Sequence, residues 1–365
     1  MAQGPRRRTG ALWVGFALAA LGTFPHTGAA QSCPGREGLQ FICGPQGSED
    51  LVPLPHTPWL IASGLNLGKP AHLYWIDTQA KRALPAYPPA PGELMPPSRA
   101  VSSSTPLCPQ PPDPSRMSTD GLGLRRGPDR IHMLYAANHG DRNAIEFFEV
   151  DTRGARPSIQ WVGCAPLPPR TLPNAVVPLP GEGLLVTSFY DPTDPRSWER
   201  MARGEPTGRI LEWHAQSGFR ELPGSAVSGA NGIELSEDGR LVYLSAWSGR
   251  ELLILPRAGG KAEHIPLDFM PDNIHRLEDG ALLVGGQRTE VARIEHCGAG
   301  PCPQPWVLVR VDPRTHRIEP LLSRSGTPEV NYACGGVFVA GELYFTARGS
   351  RSLAFLSRAD LPSLE

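Results

Sequence analysis

Five side chains of this 365-residue sequence offer hard oxygen donors at comparable places: Glu49, Asn174, Asn231, Asp272 and Asn273. Each sits just ahead of a strand-like run. Asn231 opens Asn231-Gly232-Ile233-Glu234-Leu235-Ser236-Glu237-Asp238-Gly239, followed by the strand candidate Leu241–Ala246. Asp272-Asn273 opens a similar unit, with an Asp279-Gly280 turn and the run Ala281–Val284. Two carboxylates and three amide oxygens, brought together, suit calcium, which takes about six to eight oxygens and leaves room for water or a substrate oxygen. A closed ring of repeated sheets would bring such distant residues to one point.

The sequence has the grain of such a ring. Its 40 glycines and 41 prolines fall between short apolar runs. That punctuation favours many strands joined by turns. Outside the first thirty residues there is no long amphipathic helix, so hardly any helix is expected. Repeat starts at Asp50, Asp120, Asn174, Asn231, Asn273 and Tyr332 give intervals of 70, 54, 57, 42 and 59 residues. Such lengths suit four-stranded blades with unequal loops. The expected fold is all-β, a six-bladed β-propeller with a central channel. A β-sandwich of this length would need extra domains, and a β-helix would show a shorter, more regular period. Residues 85–114 carry eleven prolines and read as an excursion between strands, since proline lacks the ladder donor. Trp59, Trp75, Trp161, Trp213, Trp247 and Trp306 read as blade packing.

Residues 1–30 resemble an export leader. Arg6-Arg7-Arg8 precedes an apolar stretch from Ala11 to Phe24 that is too short to span a bilayer, and Gly28-Ala29-Ala30 offers small residues for cleavage before Gln31. The expectation is a periplasmic or secreted chain whose single domain covers 31–365, with no stable membrane span in the mature form. Loss of 1–30 removes three arginines and no acid, leaving 32 basic against 36 acidic residues. No basic patch stands out, so nucleic acid is not an expected partner. All seven cysteines lie beyond residue 30. Cys297 and Cys302 flank a short loop and form the expected local disulfide, and the odd count leaves one cysteine over.

Taken in order, Glu49-Asp50-Leu51, Ala137-Asn138-His139-Gly140, Pro173-Asn174, Ala230-Asn231-Gly232-Ile233 and Pro271-Asp272-Asn273-Ile274 resemble the paraoxonase-like proteins. These are related to the senescence-marker-protein and gluconolactonase group of calcium-dependent lactonases and arylesterases. The resemblance runs from about Glu49 to the last strand near Leu356. It implies a six-bladed propeller with a catalytic Ca²⁺ near one channel mouth, held by Glu49, Asn174, Asn231, Asp272 and Asn273. It also implies a second, structural calcium at Asp50, but Ala175 stands where a further acid is expected. His139 matches one member of the family's histidine pair. The other falls in Ser118-Thr119-Asp120-Gly121, where Asp120 replaces the histidine. A carboxylate beside a dication should be a weak base.

Competing chemistries lack their motifs. There is no Gly-x-Ser-x-Gly elbow, no dinucleotide or phosphate loop and no His-Glu-x-x-His. The resemblance thus implies hydrolysis of a small-molecule lactone or aryl ester, with Asp120 and His139 as catalytic candidates. The alternative is a propeller that binds a ligand or partner through calcium without turnover. A condensing propeller like strictosidine synthase is less apt, since that chemistry needs no such metal site.

Overall fold

Strands that read as continuous apolar runs bury both faces. In Leu241–Ala246, Val242, Leu244 and Ala246 pack into one apolar cluster while Tyr243 packs into the next. Successive side chains point to opposite faces of a strand, so such a sheet must be sandwiched between two others. Six clusters of this kind exist among the described residues, one for each seam between neighbouring sheets.

The structure, a computed structural model, describes residues 33–66, 70–90, 108–297 and 302–361, with Met1, Ala2 and Gly4. Met1–Ala30 and Gln31–Glu365 are separate units, and the second is described here. The expected leader, apart from three residues, lies outside the described residues. So does 91–107 of the Pro-rich excursion.

The second unit is a six-bladed propeller of four-stranded antiparallel sheets. From inside outward, blade 1 is Leu51–Pro53, Trp59–Ala62, Leu73–Asp77 and Arg82–Tyr87; blade 2 is Thr119–Arg125, Ile131–Asn138, Ala144–Asp151 and Ser158–Pro166. Blade 3 is Pro173–Pro178, Leu184–Ser188, Arg209–His214 and Gly218–Glu221; blade 4 is Ala230–Leu235, Leu241–Ala246, Glu251–Pro256 and Glu263–Pro266. Blade 5 is Met270–Arg276, Leu282–Gln287, Trp306–Val311 and Ile318–Arg324. Blade 6 is Ala333–Val339, Glu342–Ala347 and Ser352–Ser357, and its outer strand, Gln40–Cys43, comes from the other end of the chain. That exchange ties the ring shut. The inner strands contact one another in sequence all the way round, blade 6 meeting blade 1.

Two short helices, Ser197–Ala202 and Val291–Glu295, account for the α-helix among the described residues. None is long and apolar enough to cross a membrane. Pro85 corrects one expectation: it lies inside Arg82–Tyr87, opposite Tyr74, so the excursion begins after that strand. The strand is the outermost of its blade, where a missing N–H is tolerated. The six tryptophans are buried, but Trp247 lies just past its strand rather than within it.

Disulfides join Cys33 to Cys43, Cys108 to Cys164 and, as expected, Cys297 to Cys302. The first fastens the closing strand of blade 6. Three bridges suit an oxidising, extracytoplasmic setting.

Candidate metal centre

One irregularity recurs in five inner strands. In blade 2, Thr119 pairs with Asn138 and the next pairing is Leu122 with Ala136, so two residues oppose one. The same step occurs after Pro173, Ala230, Pro271 and Ala333. Each is a β-bulge, which bends the strand and re-aims a side chain. The first residue of each bulge is Asp120, Asn174, Asn231, Asp272 and Cys334. Blade 1 contributes Glu49 and Asp50, whose backbone N–H groups both donate to Ser63 Oγ, at 3.2 and 2.9 Å. Glycine as the second bulge residue, in blades 2, 4 and 6, lets neighbouring inner strands close on the axis. A Cβ at Gly232 would lie 2.3 Å from the Asp272 carbonyl oxygen, and one at Gly121 would lie 2.5 Å from Ala175 Cα.

All these ring residues are buried. Asn273 Nδ2 donates to the Glu49 carbonyl at 2.9 Å and to Glu49 Oε1 at 3.0 Å. Asn273 thereby holds Glu49 in place with its amide N–H. Gln287 Nε2 donates to Asp272 Oδ2 at 2.7 Å, and Trp247 Nε1 fixes Gln287 by donating to its Oε1 at 2.7 Å. Asp120 Oδ2 lies 3.0 Å from His139 Nε2. Among these ring residues, four buried oxygens have no hydrogen-bond partner: Glu49 Oε2, Asp120 Oδ1, Asn174 Oδ1 and Asn231 Oδ1. Buried polar atoms are normally paired, and leaving one unpaired costs roughly 1–3 kcal/mol. Four such oxygens in one ring of strands fit a bound cation.

The carboxyl groups tell the same story. Burial pushes the Glu49 pKa well above the ordinary range, and Asp120, Asp272 and Asp50 push it further. Burial raises Asp272 to about 6, against the pull of Gln287 and Arg348. Burial would also raise Asp120, but His139, with help from Arg348 and Asn174, outweighs it and holds the carboxyl low. Burial would lower His139, and Asp120 reverses that, raising it. Arg348, on the loop after Glu342–Ala347, brings a positive charge to Asp120, Glu49 and Tyr332.

Asp50 belongs to a different arrangement. It accepts from Leu51 N, Leu122 N and His275 Nε2, each at 2.8 Å. An imidazole meets Asp50 on the channel side, and Ala175 packs beside Gly121 without offering an oxygen. Burial alone would lower His275, but Asp50 and Glu234 raise it above its ordinary value. Stability from this pair is complete below about pH 6.5, where the imidazole is charged in both states. It falls as pH rises towards the raised folded value, because only the fold keeps its proton, and it is gone above that value. We expect the melting temperature of wild type to fall across this window relative to that of His275→Asn. Parallel melting curves of the two proteins against pH would refute the pairing.

A cavity of about 1830 Å³ occupies the channel beyond Asp50, Asn273 and His275, lined among others by Arg125, Glu234 and Arg310. It reaches none of Glu49, Asp120, Asn174, Asn231 or Asp272. Of the five proposed ligands, only Asn273 lines this cavity. At the ring, solvent reaches Arg348 and, in part, His139, whose side chain is 19% exposed.

Three residues at the site lack a motif: Gln287, Arg348 and Cys334. Asn138 Oδ1 accepts from Ser118 N and Gly140 N, both at 3.1 Å, and so ties the segment before Asp120 to the segment carrying His139. Cys334 could have been found by counting, since it occupies in blade 6 the bulge position of the ring ligands.

No protein-family model matches the sequence, and no curated protein matches it. Solved structures do. The chain is similar to a luciferin-regenerating enzyme, at 13% identity and TM-score 0.51, over 86% of this chain and 91% of that one. It is similar to a gluconolactonase from Xanthomonas campestris, at 15% identity and TM-score 0.50, over 89% of each. A Bacteroides thetaiotaomicron protein of unknown function matches at 9% identity and TM-score 0.53, over 86% of this chain and 70% of that one. At these identities the likeness is one of fold.

Proposed function

We propose that this chain is an exported hydrolase that opens lactones or aryl esters at a divalent cation held by Glu49, Asn174, Asn231, Asp272 and Asn273. Calcium suits the hard oxygens of that set. The observation carrying this reading is the group of four unpartnered buried oxygens on neighbouring inner strands. Similarity of fold to a gluconolactonase supports the reaction class.

A bound dication supplies polarisation of a substrate carbonyl and stabilisation of the oxyanion that forms when water adds. The protein's own groups do the rest. Asp120 Oδ1 is the free end of a carboxylate whose other oxygen is fixed on His139. It orients the attacking water and takes its proton. His139, held on Asp120 through Nε2, keeps that carboxylate in one rotamer and balances its charge. Because the Asp120 carboxyl is held low, proton acceptance is weak and turnover is modest.

The test is Asp120→Asn, which removes the proton acceptor. A positioned general base contributes about 10²–10⁴-fold, and since Asp120 is a weak one we expect a loss near the lower end. Asp120→His supplies a better base and raises the rate. Equal rates in wild type and Asp120→Asn would refute the role. Metal binding without turnover on any lactone or ester would favour the binding propeller instead.

A further inference from the structure

Five blades place an oxygen-bearing side chain at the ring. The sixth places sulphur there. Cys334 is the first residue of the blade 6 bulge, as Asp120, Asn174, Asn231 and Asp272 are of theirs. It is fully buried and is the free cysteine among the described residues. The other six cysteines are paired in three bridges. One Glu49 oxygen, one Asp272 oxygen and Cys334 Sγ lie within 4.8 Å of one another. A thiol that served only packing would not be expected against two buried carboxylates. Glu49, one of those two carboxylates, has a buried oxygen, Oε2, with no hydrogen-bond partner.

We propose that Cys334 is itself a ligand of the ring metal, so that the site takes a thiophilic divalent ion of the zinc class more tightly than calcium. This rests on the metal reading of the ring and adds the nature of the ion. Thiolate sulphur is a soft donor that zinc and cobalt accept and calcium does not. Binding such an ion displaces the thiol proton to solvent, leaving thiolate bonded to metal. Burial behind the ring also keeps the thiol from oxidants in a compartment where the other six cysteines are bridged.

The experiment uses the mature chain, stripped with chelator and titrated with Co²⁺. Wild type should develop a thiolate-to-cobalt charge-transfer band in the near ultraviolet, and Cys334→Ser should lack it. By calorimetry, Zn²⁺ should bind wild type more tightly than Ca²⁺. Cys334→Ser should lose roughly tenfold or more in Zn²⁺ affinity, in the range seen when a metal's supporting groups are removed. Cobalt bound to wild type without the band would overturn the inference and leave the oxygen ring standing; that result needs no variant. Equal Zn²⁺ affinity in wild type and Cys334→Ser would do the same. Wild type that binds none of Co²⁺, Zn²⁺ and Ca²⁺ would overturn the ring itself.

Discussion

Asp272→Ala is expected to abolish most of the calcium binding proposed for this ring. Asp272 is a buried, charged ring member whose other oxygen is fixed by Gln287. Losing even a partner of a metal ligand costs about 10–100-fold in affinity, so losing the ligand should cost roughly 100-fold or more. If the ring binds calcium as proposed, wild type at a calcium concentration near 100 times Kd should gain about 2.7 kcal/mol of stability, because only the fold would bind the ion. The variant at the same concentration gains little. Without metal the two proteins should differ far less. Asp272, with its pKa raised to about 6, is charged in the fold at pH 7 against the preference of its surroundings. Below about pH 4 it is protonated folded and unfolded alike, and between about 4 and about 6 only the unfolded chain releases the proton, so stability falls with rising pH. Alanine removes that penalty but leaves Gln287 Nε2 short of an acceptor, and the two changes offset. Calcium titration calorimetry decides: unchanged affinity in Asp272→Ala would remove this residue from the site.

Glu146→Ala is the second large effect, and it falls first on the fold. Glu146 is fully buried in blade 2. It accepts from Arg142 Nε and Nη2, both at 2.8 Å, from Trp161 Nε1 at 2.8 Å and from Asn138 Nδ2 at 3.1 Å. Alanine strands a guanidinium whose side chain is only 25% exposed, along with an indole and an amide. Breaking a buried pair from one side costs about 3–5 kcal/mol. Asn138 then loses one of the acceptors that fix its amide, and through Asn138 the segments bearing Asp120 and His139 lose their tie. Urea denaturation should show the full loss, and hydrolysis should fall further than Asp120→Asn alone explains. A loss below about 1 kcal/mol would be a surface value and would contradict the network.

The blades were legible because a propeller repeats itself. Each expected start, from Asp50 to Tyr332, falls within three residues of the inner strand it marks. Both strand faces are buried, so apolar runs and Gly-Pro punctuation carry the signal even where alternation is absent. The candidate ring was legible as residue types before strands, but the reason for its convergence was not. A bulge is a matter of pairing, and nothing local in Pro173-Asn174-Ala175 says that two residues will oppose one. Partners across blades were hidden for the same reason. Gln287 ends a second strand with no motif around it, and only the fold sets it against Asp272 and Trp247. Likewise nothing in the sequence says that Asn273, read there as an oxygen donor, also turns its amide N–H onto Glu49. Asp50 reads as an acid awaiting a cation, and His275, 225 residues away, meets it.

The central claim is that a divalent ion in this ring drives hydrolysis. The most direct measurement is the rate of the purified protein on a panel of lactones and aryl esters, as prepared, after chelation, and after return of Ca²⁺ or Zn²⁺. The account predicts modest hydrolysis that chelation abolishes and one of the two ions restores. Hydrolysis that persists unchanged through chelation would contradict it.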